Sequence, residues 1–160
     1  PELKALLQKQ YENLAELNIA TLVWALFHLL EVKSVAPDNL SLAAMKDQLR
    51  KNARFRLKEI RRGSESQAFK TQKNVTPNEK ILALIKEVGA TEDYCGGTAH
   101  TAYMDEDLFK KHGIKVTVQD WKCQEYPQAF MKQQGFIPNL SILDLLMNVP
   151  AKNAAKIIST

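Results

Sequence analysis

Between Cys95 and Gln128 stand the residue types that could do chemistry in this chain. Cys95-Gly96-Gly97-Thr98 falls between a predicted strand and a predicted helix, where glycines let an anion approach the backbone and amide N–H groups converge on it. A phosphate or a carboxylate would suit such a turn. The string matches neither G-x-G-x-x-G nor G-x-x-x-x-G-K-S/T, so the plainer reading, that the glycines make the turn, stands beside the binding one. His100 lies in the first turn of the same helix, placed to contact an anionic ligand or to move a proton. Asp120 follows a predicted strand, Ile114 to Gln119, at its carboxyl end. Open α/β sheets bind ligands just beyond the carboxyl ends of strands, so Asp120 and the glycine turn are expected to face one crevice; a solvated strand-end aspartate is the alternative. Cys95 would need His100 as its base to act as a nucleophile, and a buried thiol is the competing reading.

Other candidates have structural accounts. Ser141 with Asp144 three positions on is a capping box, and Asn148 ends that helix. His28 on an apolar helix reads as a hydrogen-bonded core residue, and His112 as a helix C-terminal residue favoured by the dipole. Met45 to Arg62 holds eight Lys or Arg against two acids, a local charge of +6 in a chain of net +4. That segment could meet nucleic acid, anionic lipid or a phosphorylated substrate, but only Phe55 interleaves with its charges, so a solvated helix face is the leading account and nucleic-acid binding is not expected.

The elements that must position these residues follow from periodicity. Leu3, Leu6, Leu7 and Tyr11 share one helix face, and Asn13 with Glu16 opens a second helix running to about Leu30. Val32 to Ala36 reads as a short strand. Asp38 or Asn39 is expected to cap a basic third helix, with Leu42, Met45, Leu49, Ala53 and Ile60 inward and Gly63 at its end. Residues 63–76, rich in Gly, Ser, Gln, Lys and Thr, are expected to form a flexible loop. Thr76 and Pro77 open a helix that Gly89 ends; a strand at Glu92 to Cys95, a helix from Thr98 to His112 and the strand Ile114 to Gln119 follow. Such alternation predicts an α/β fold: a small parallel sheet with packed helices over 77–160, preceded by a helical N-terminal region over 1–62, all in a single domain.

Composition agrees with a globular chain. It has 160 residues, 45% hydrophobic and 25% charged, enough for a core of its own. The longest apolar run, Ile19 to Leu30, is 12 residues and includes His28, short of the roughly 20 needed to span a bilayer. No signal-peptide pattern opens the sequence, so a cytoplasmic location is expected. Cys95 and Cys123 lack metal-site spacing and read as free thiols. The chain begins with Pro1 and not Met, which suggests a fragment of a longer protein.

From about Glu79 to Asn148 the chain resembles the WbqC-like family of bacterial surface-polysaccharide (O-antigen) gene clusters. The matching residues are Gly89-Ala90, Gly96, Tyr103-Met104-Asp105, Phe109, Gly113-Ile114, Asp120, Tyr126-Pro127-Gln128 and the run Phe136 to Asn148. Glu2 to Leu30 is similar to the family's middle part, whereas Leu40 to Asn74 looks like an insertion and the family's N-terminal section has no counterpart before Pro1. Cys95 replaces the usual Ser, and Val149-Pro150 stands where a Gly normally follows. The resemblance implies a transferase that moves an acyl group, such as glycyl, onto a sugar precursor.

Two functions follow as expectations. In the first, a nucleotide-linked or phosphorylated small molecule is held at Gly96, Gly97 and Thr98, with Tyr103, Tyr126 and Gln128 lining the site and His100 and Asp120 catalytic; no metal or particular cofactor is called for. In the second, the chain is a non-catalytic module whose basic segment, through Arg54, Arg61 and Arg62, binds a partner.

Overall fold

The computed structural model describes residues 2–32, 36–53, 55–71 and 73–159. Its helices are α1 (Glu2–Gln8), α2 (Leu14–Leu29), α3 (Leu42–Lys51), α4 (Gln67–Thr71), α5 (Pro77–Glu87), α6 (Gly97–Tyr103), α7 (Glu106–Lys111), α8 (Met131–Gln134), α9 (Ile142–Asn148) and α10 (Ala151–Ile158). Two strands, β1 (Glu92–Gly96) and β2 (Lys115–Gln119), make a parallel sheet. The result is an α/β fold with a helical N-terminal region. The chain divides into two compact units: Pro1–Ile60 with Cys123–Thr160, and the intervening Arg61–Lys122.

In the first unit α2 is the central element. Asn13 caps it by accepting a hydrogen bond from the Glu16 N–H at 3.1 Å, which satisfies one of the orphan donors of the first turn. Apolar residues surround the helix, and Ala20, Val23, Trp24, Ala25, Phe27 and Leu29 are buried. Val23, Trp24 and Phe27 join Leu6, Met45 and Leu49 in one cluster. Leu29 joins Tyr126, Leu145, Val149, Ala154 and Ala155 in a second, so α9 and α10 pack on α2. The helix closes with Glu31 at φ 56°, its N–H donating to the His28 carbonyl and that of Val32 to the Phe27 carbonyl. This is a Schellman ending with glutamate where glycine is usual.

The third helix differs from the sequence expectation at both ends. Ser41 is its N-cap, accepting from the Ala44 N–H at 3.2 Å, because Asp38 and Asn39 are taken up in a 3-10 turn over Pro37–Asn39. The helix stops at Lys51, since Asn52 is extended at φ −94° and ψ 131°; asparagine competes with the helical backbone for hydrogen bonds and is a poor interior residue. Phe55 and Ile60 still pack on the core, but from irregular chain. The strand expected over Val32 to Ala36 falls mostly on residues outside the described ones, as does Arg54.

The second unit holds the sheet. Where a loop was expected over 63–76, a 3-10 turn (Gly63–Glu65) and α4 occur, and the Glu87 carboxylate accepts from the N–H groups of Gln67 (3.2 Å) and Ala68 (2.7 Å). A complete capping box starts α5: the Thr76 hydroxyl accepts from the Glu79 N–H, and the Glu79 carboxylate accepts from the Thr76 N–H. Each strand is entered through a Schellman ending with glycine in the left-handed region. Ala90 N–H donates to the Ile85 carbonyl around Gly89 (φ 66°), and Ile114 N–H to the Phe109 carbonyl around Gly113 (φ 71°). Glu92 is in register with Lys115 and Gly96 with Gln119. Leu82, Ile85, Phe109 and Ile114 form the core beneath.

The single helix expected from Thr98 to His112 is two helices. Asn78 splits them: its amide donates to the Tyr103 carbonyl at 2.7 Å and accepts from the Asp105 N–H at 3.2 Å. Asp105 then caps α7 through the Leu108 N–H at 3.0 Å.

Candidate functional site

The two strands end level, so Gly97 and Asp120, each the next residue, emerge together at the carboxyl edge of the sheet. Gly96 and Gly97 are exposed, and a Cβ built on either would meet nothing closer than the Val118 Cγ1 at 4.0 Å. Backbone at this turn is open to an approaching group. Thr98 follows, also exposed, and Tyr103 ends α6 with half its surface in solvent. Asp120 pairs with Lys122 at 3.2 Å, both side chains well exposed.

The most telling contact is one that the sequence left unassigned. His100 Nε2 meets the Glu106 carboxylate across the break between α6 and α7. With the carboxylate accepting from Nε2–H, the imidazole carries its lone pair on Nδ1. The helix break creates this pair: an unbroken helix over 98–112 would place residues six apart on different faces. The only available signal was Asp105, an N-cap residue type inside the expected helix. Cys95 is half-buried and a free thiol, and the partner of His100 is Glu106.

Two further acids belong to β1. Hydrogen bonding from Thr117, then Lys115, holds the Glu92 carboxyl below its usual range, whereas burial pushes Asp93 up. Nothing in the spacing of Asp93 marked it.

In the first unit, Tyr126 is 5% exposed; its hydroxyl donates to Asp144 Oδ2 at 2.9 Å and its ring meets Phe136 edge-on at 5.5 Å. Burial is the main reason its hydroxyl is shifted above the ordinary phenol range. Gln128 binds one backbone residue twice, donating to the Ile137 carbonyl at 2.8 Å and accepting from its N–H at 2.9 Å. The capping box expected from Ser141 and Asp144 is only half formed. Ser141 accepts from the Leu143 N–H at 3.2 Å, but the Asp144 carboxylate turns to Tyr126 and to the Asn148 amide, 3.2 Å away. Asp144 is therefore the centre of a polar trio.

Of the other histidines, His28 is hydrogen-bonded through Nδ1 to the Trp24 carbonyl at 3.0 Å, as expected, but it is only half-buried and not a core residue. His112 caps the C-terminal end of α7, with Lys86 Nζ 3.0 Å from its Nδ1.

A profile of the WbqC-like protein family matches residues 1–156. The chain belongs to the WbqC-like family. This match runs through Leu40 to Asn74, the stretch that resembled an insertion, so the basic segment lies within the WbqC-like region. The chain is also similar to Rv1507c, an uncharacterized protein of Mycobacterium tuberculosis, with 39% identity over 75 residues. That alignment covers 46% of this chain and 31% of the relative. No solved structure matches the chain. Among the described residues, no helix of this WbqC-like protein is long and apolar enough to cross a membrane.

Proposed function

We propose that this WbqC-like protein takes part in bacterial surface-polysaccharide (O-antigen) biosynthesis as a transferase that moves an acyl group, such as glycyl, onto a sugar precursor. The observation that carries the reading is the His100–Glu106 pair at the edge of a parallel sheet, beside open backbone at Gly96 and Gly97. A carboxylate that holds a histidine in one tautomer leaves the ring's other nitrogen to act as a base. In this reading an acceptor hydroxyl or amine gives its proton to His100 Nδ1 while attacking the donor's carbonyl carbon. The tetrahedral adduct collapses, the bond to the leaving group breaks, and the leaving group takes the proton back from the imidazolium. The donor's phosphate lies along Gly96, Gly97 and Thr98, Tyr103 offers a ring to the sugar or base, and Asp120 orients the acceptor.

The test uses the intact chain with nucleotide-linked amino sugars as acceptors and coenzyme A thioesters or aminoacyl adenylates as donors, the product being read by mass. His100→Gln is expected to lower the rate at least about 100-fold, and Gly97→Val to weaken donor binding. An unchanged rate in a folded His100→Gln protein would refute the catalytic assignment. Absence of any binding would favour a partner-binding module.

A further inference from the structure

The basic segment takes no part in the proposed reaction, and it does not fold as one helix face. From Met45 to Ile60 the first unit carries six Lys or Arg against two acids. Only the part up to Lys51 is helical, and the chain beyond it folds back on α3, held by Lys46 Nζ on the Glu59 carboxylate at 2.8 Å and by Lys58 Nζ donating to the Asn52 carbonyl at 3.2 Å. These two bonds tie residues 52–60 to the helix. Phe55 and Ile60 pack against the core, and between these anchors Arg56, Leu57 and Lys58 are all exposed.

Neutralisation within the segment is incomplete. Lys46 engages Glu59, whereas Arg50, Lys51 and Arg56 are exposed and have no acidic partner among the described residues. Arg50 and Lys51 stand in the last turn of α3 and Lys58 meets the carbonyl just past it, so cations gather at that end of the helix. The sign of this patch calls for an anionic partner, and the side chains among the charges decide its class. Phe55, the only aromatic residue of the run, packs against the core and is not free to stack on a base, whereas Leu57 is 42% exposed with a cation on either side. An aliphatic side chain so flanked gains on entering the acyl boundary of a bilayer, while long lysine and arginine stems keep their charges at the headgroups.

We propose that this segment docks the protein on an anionic lipid surface, with Arg50, Lys51, Arg56 and Lys58 at the headgroup phosphates and Leu57 inserted among them. Each cation near such a surface contributes modestly, so a handful of them give reversible attachment that salt weakens. The docking is independent of the His100–Glu106 reading and would stand if that reading fell.

The experiment floats the intact chain with vesicles of phosphatidylcholine alone or of phosphatidylcholine mixed with phosphatidylglycerol. Binding to the mixed vesicles at low salt, its loss at high salt, and no binding to phosphatidylcholine alone are expected. Arg56→Gln and Leu57→Ser change exposed side chains, with folding checked by circular dichroism, and each should weaken mixed-vesicle binding about fivefold. Glycerol phosphate, the free headgroup, should not compete, and an equal charge of duplex DNA or polyuridylate should not release the chain from the mixed vesicles. The proposal is overturned by no flotation, by equal flotation with both vesicles, by undiminished binding of either variant, or by release with glycerol phosphate or nucleic acid.

Discussion

A buried phenol keeps its hydroxyl only with an acceptor in reach, and for Tyr126 that acceptor is Asp144. Tyr126→Phe should therefore destabilise the fold by about 1–2 kcal/mol, read from urea unfolding, because the carboxylate loses a donor. The folded-state pKa of this phenol is raised, so its contribution is fully present below the unfolded phenol value and lost as pH rises through the folded one. The midpoint advantage of the parent over Tyr126→Phe should shrink in strong alkali. Glu79 has the opposite sign. Hydrogen bonding from Thr76 depresses its pKa, so the capping box stabilises α5 above the ordinary carboxylate value and fails as pH drops through the lowered one. Thr76→Ala should cost about 1 kcal/mol, measured by thermal melts. At this scale the sequence was partly legible: Thr76 and Asn13 announce their caps by type and spacing, whereas the Asp144 carboxylate is drawn away by a tyrosine 18 residues earlier. No local pattern encodes a long-range acceptor.

Helix endings decide more of this fold than helix interiors. Gly89 and Gly113 occupy left-handed positions that turn the chain from helix into strand, and both could be read from the sequence. Glu31 occupies the same position after α2 and could not, since a side chain there carries a steric penalty. Glu31→Gly is expected to raise stability by about 0.5–1 kcal/mol, as an increase in urea midpoint at unchanged slope. The split between α6 and α7 was likewise hidden, because its cause is the side chain of Asn78 in a different helix. Asn78→Ala should loosen that split. If His100 is the base proposed above, the variant should impair catalysis without touching substrate, detectable as a lower rate and an altered pH profile.

Across the whole molecule, helix and strand alternation foretold the parallel α/β sheet, but two compact units lay beyond a periodicity argument. Periodicity reports which face of an element is apolar and leaves unsaid which distant element covers it. Phe109 is fully buried at the centre of the Arg61–Lys122 core, and Phe109→Ala should cost about 3–5 kcal/mol. Hydrogen exchange is expected to show amides of Arg61–Lys122 losing protection first, since the residue belongs to that unit's core cluster.

The helix α2 is apolar nearly all round, and the other fully buried residues of the Leu29 cluster come from Tyr126 onward. During synthesis that surface leaves the ribosome long before α9 and α10 do, while the whole Arg61–Lys122 unit is made in between. The intervening unit draws on neighbouring sequence and can fold as it emerges, which shortens the loop that must close afterwards. Until it closes, the nascent chain carries an incompletely covered greasy helix face around Leu29, the kind of surface that holdase chaperones bind and that aggregates when translation stalls.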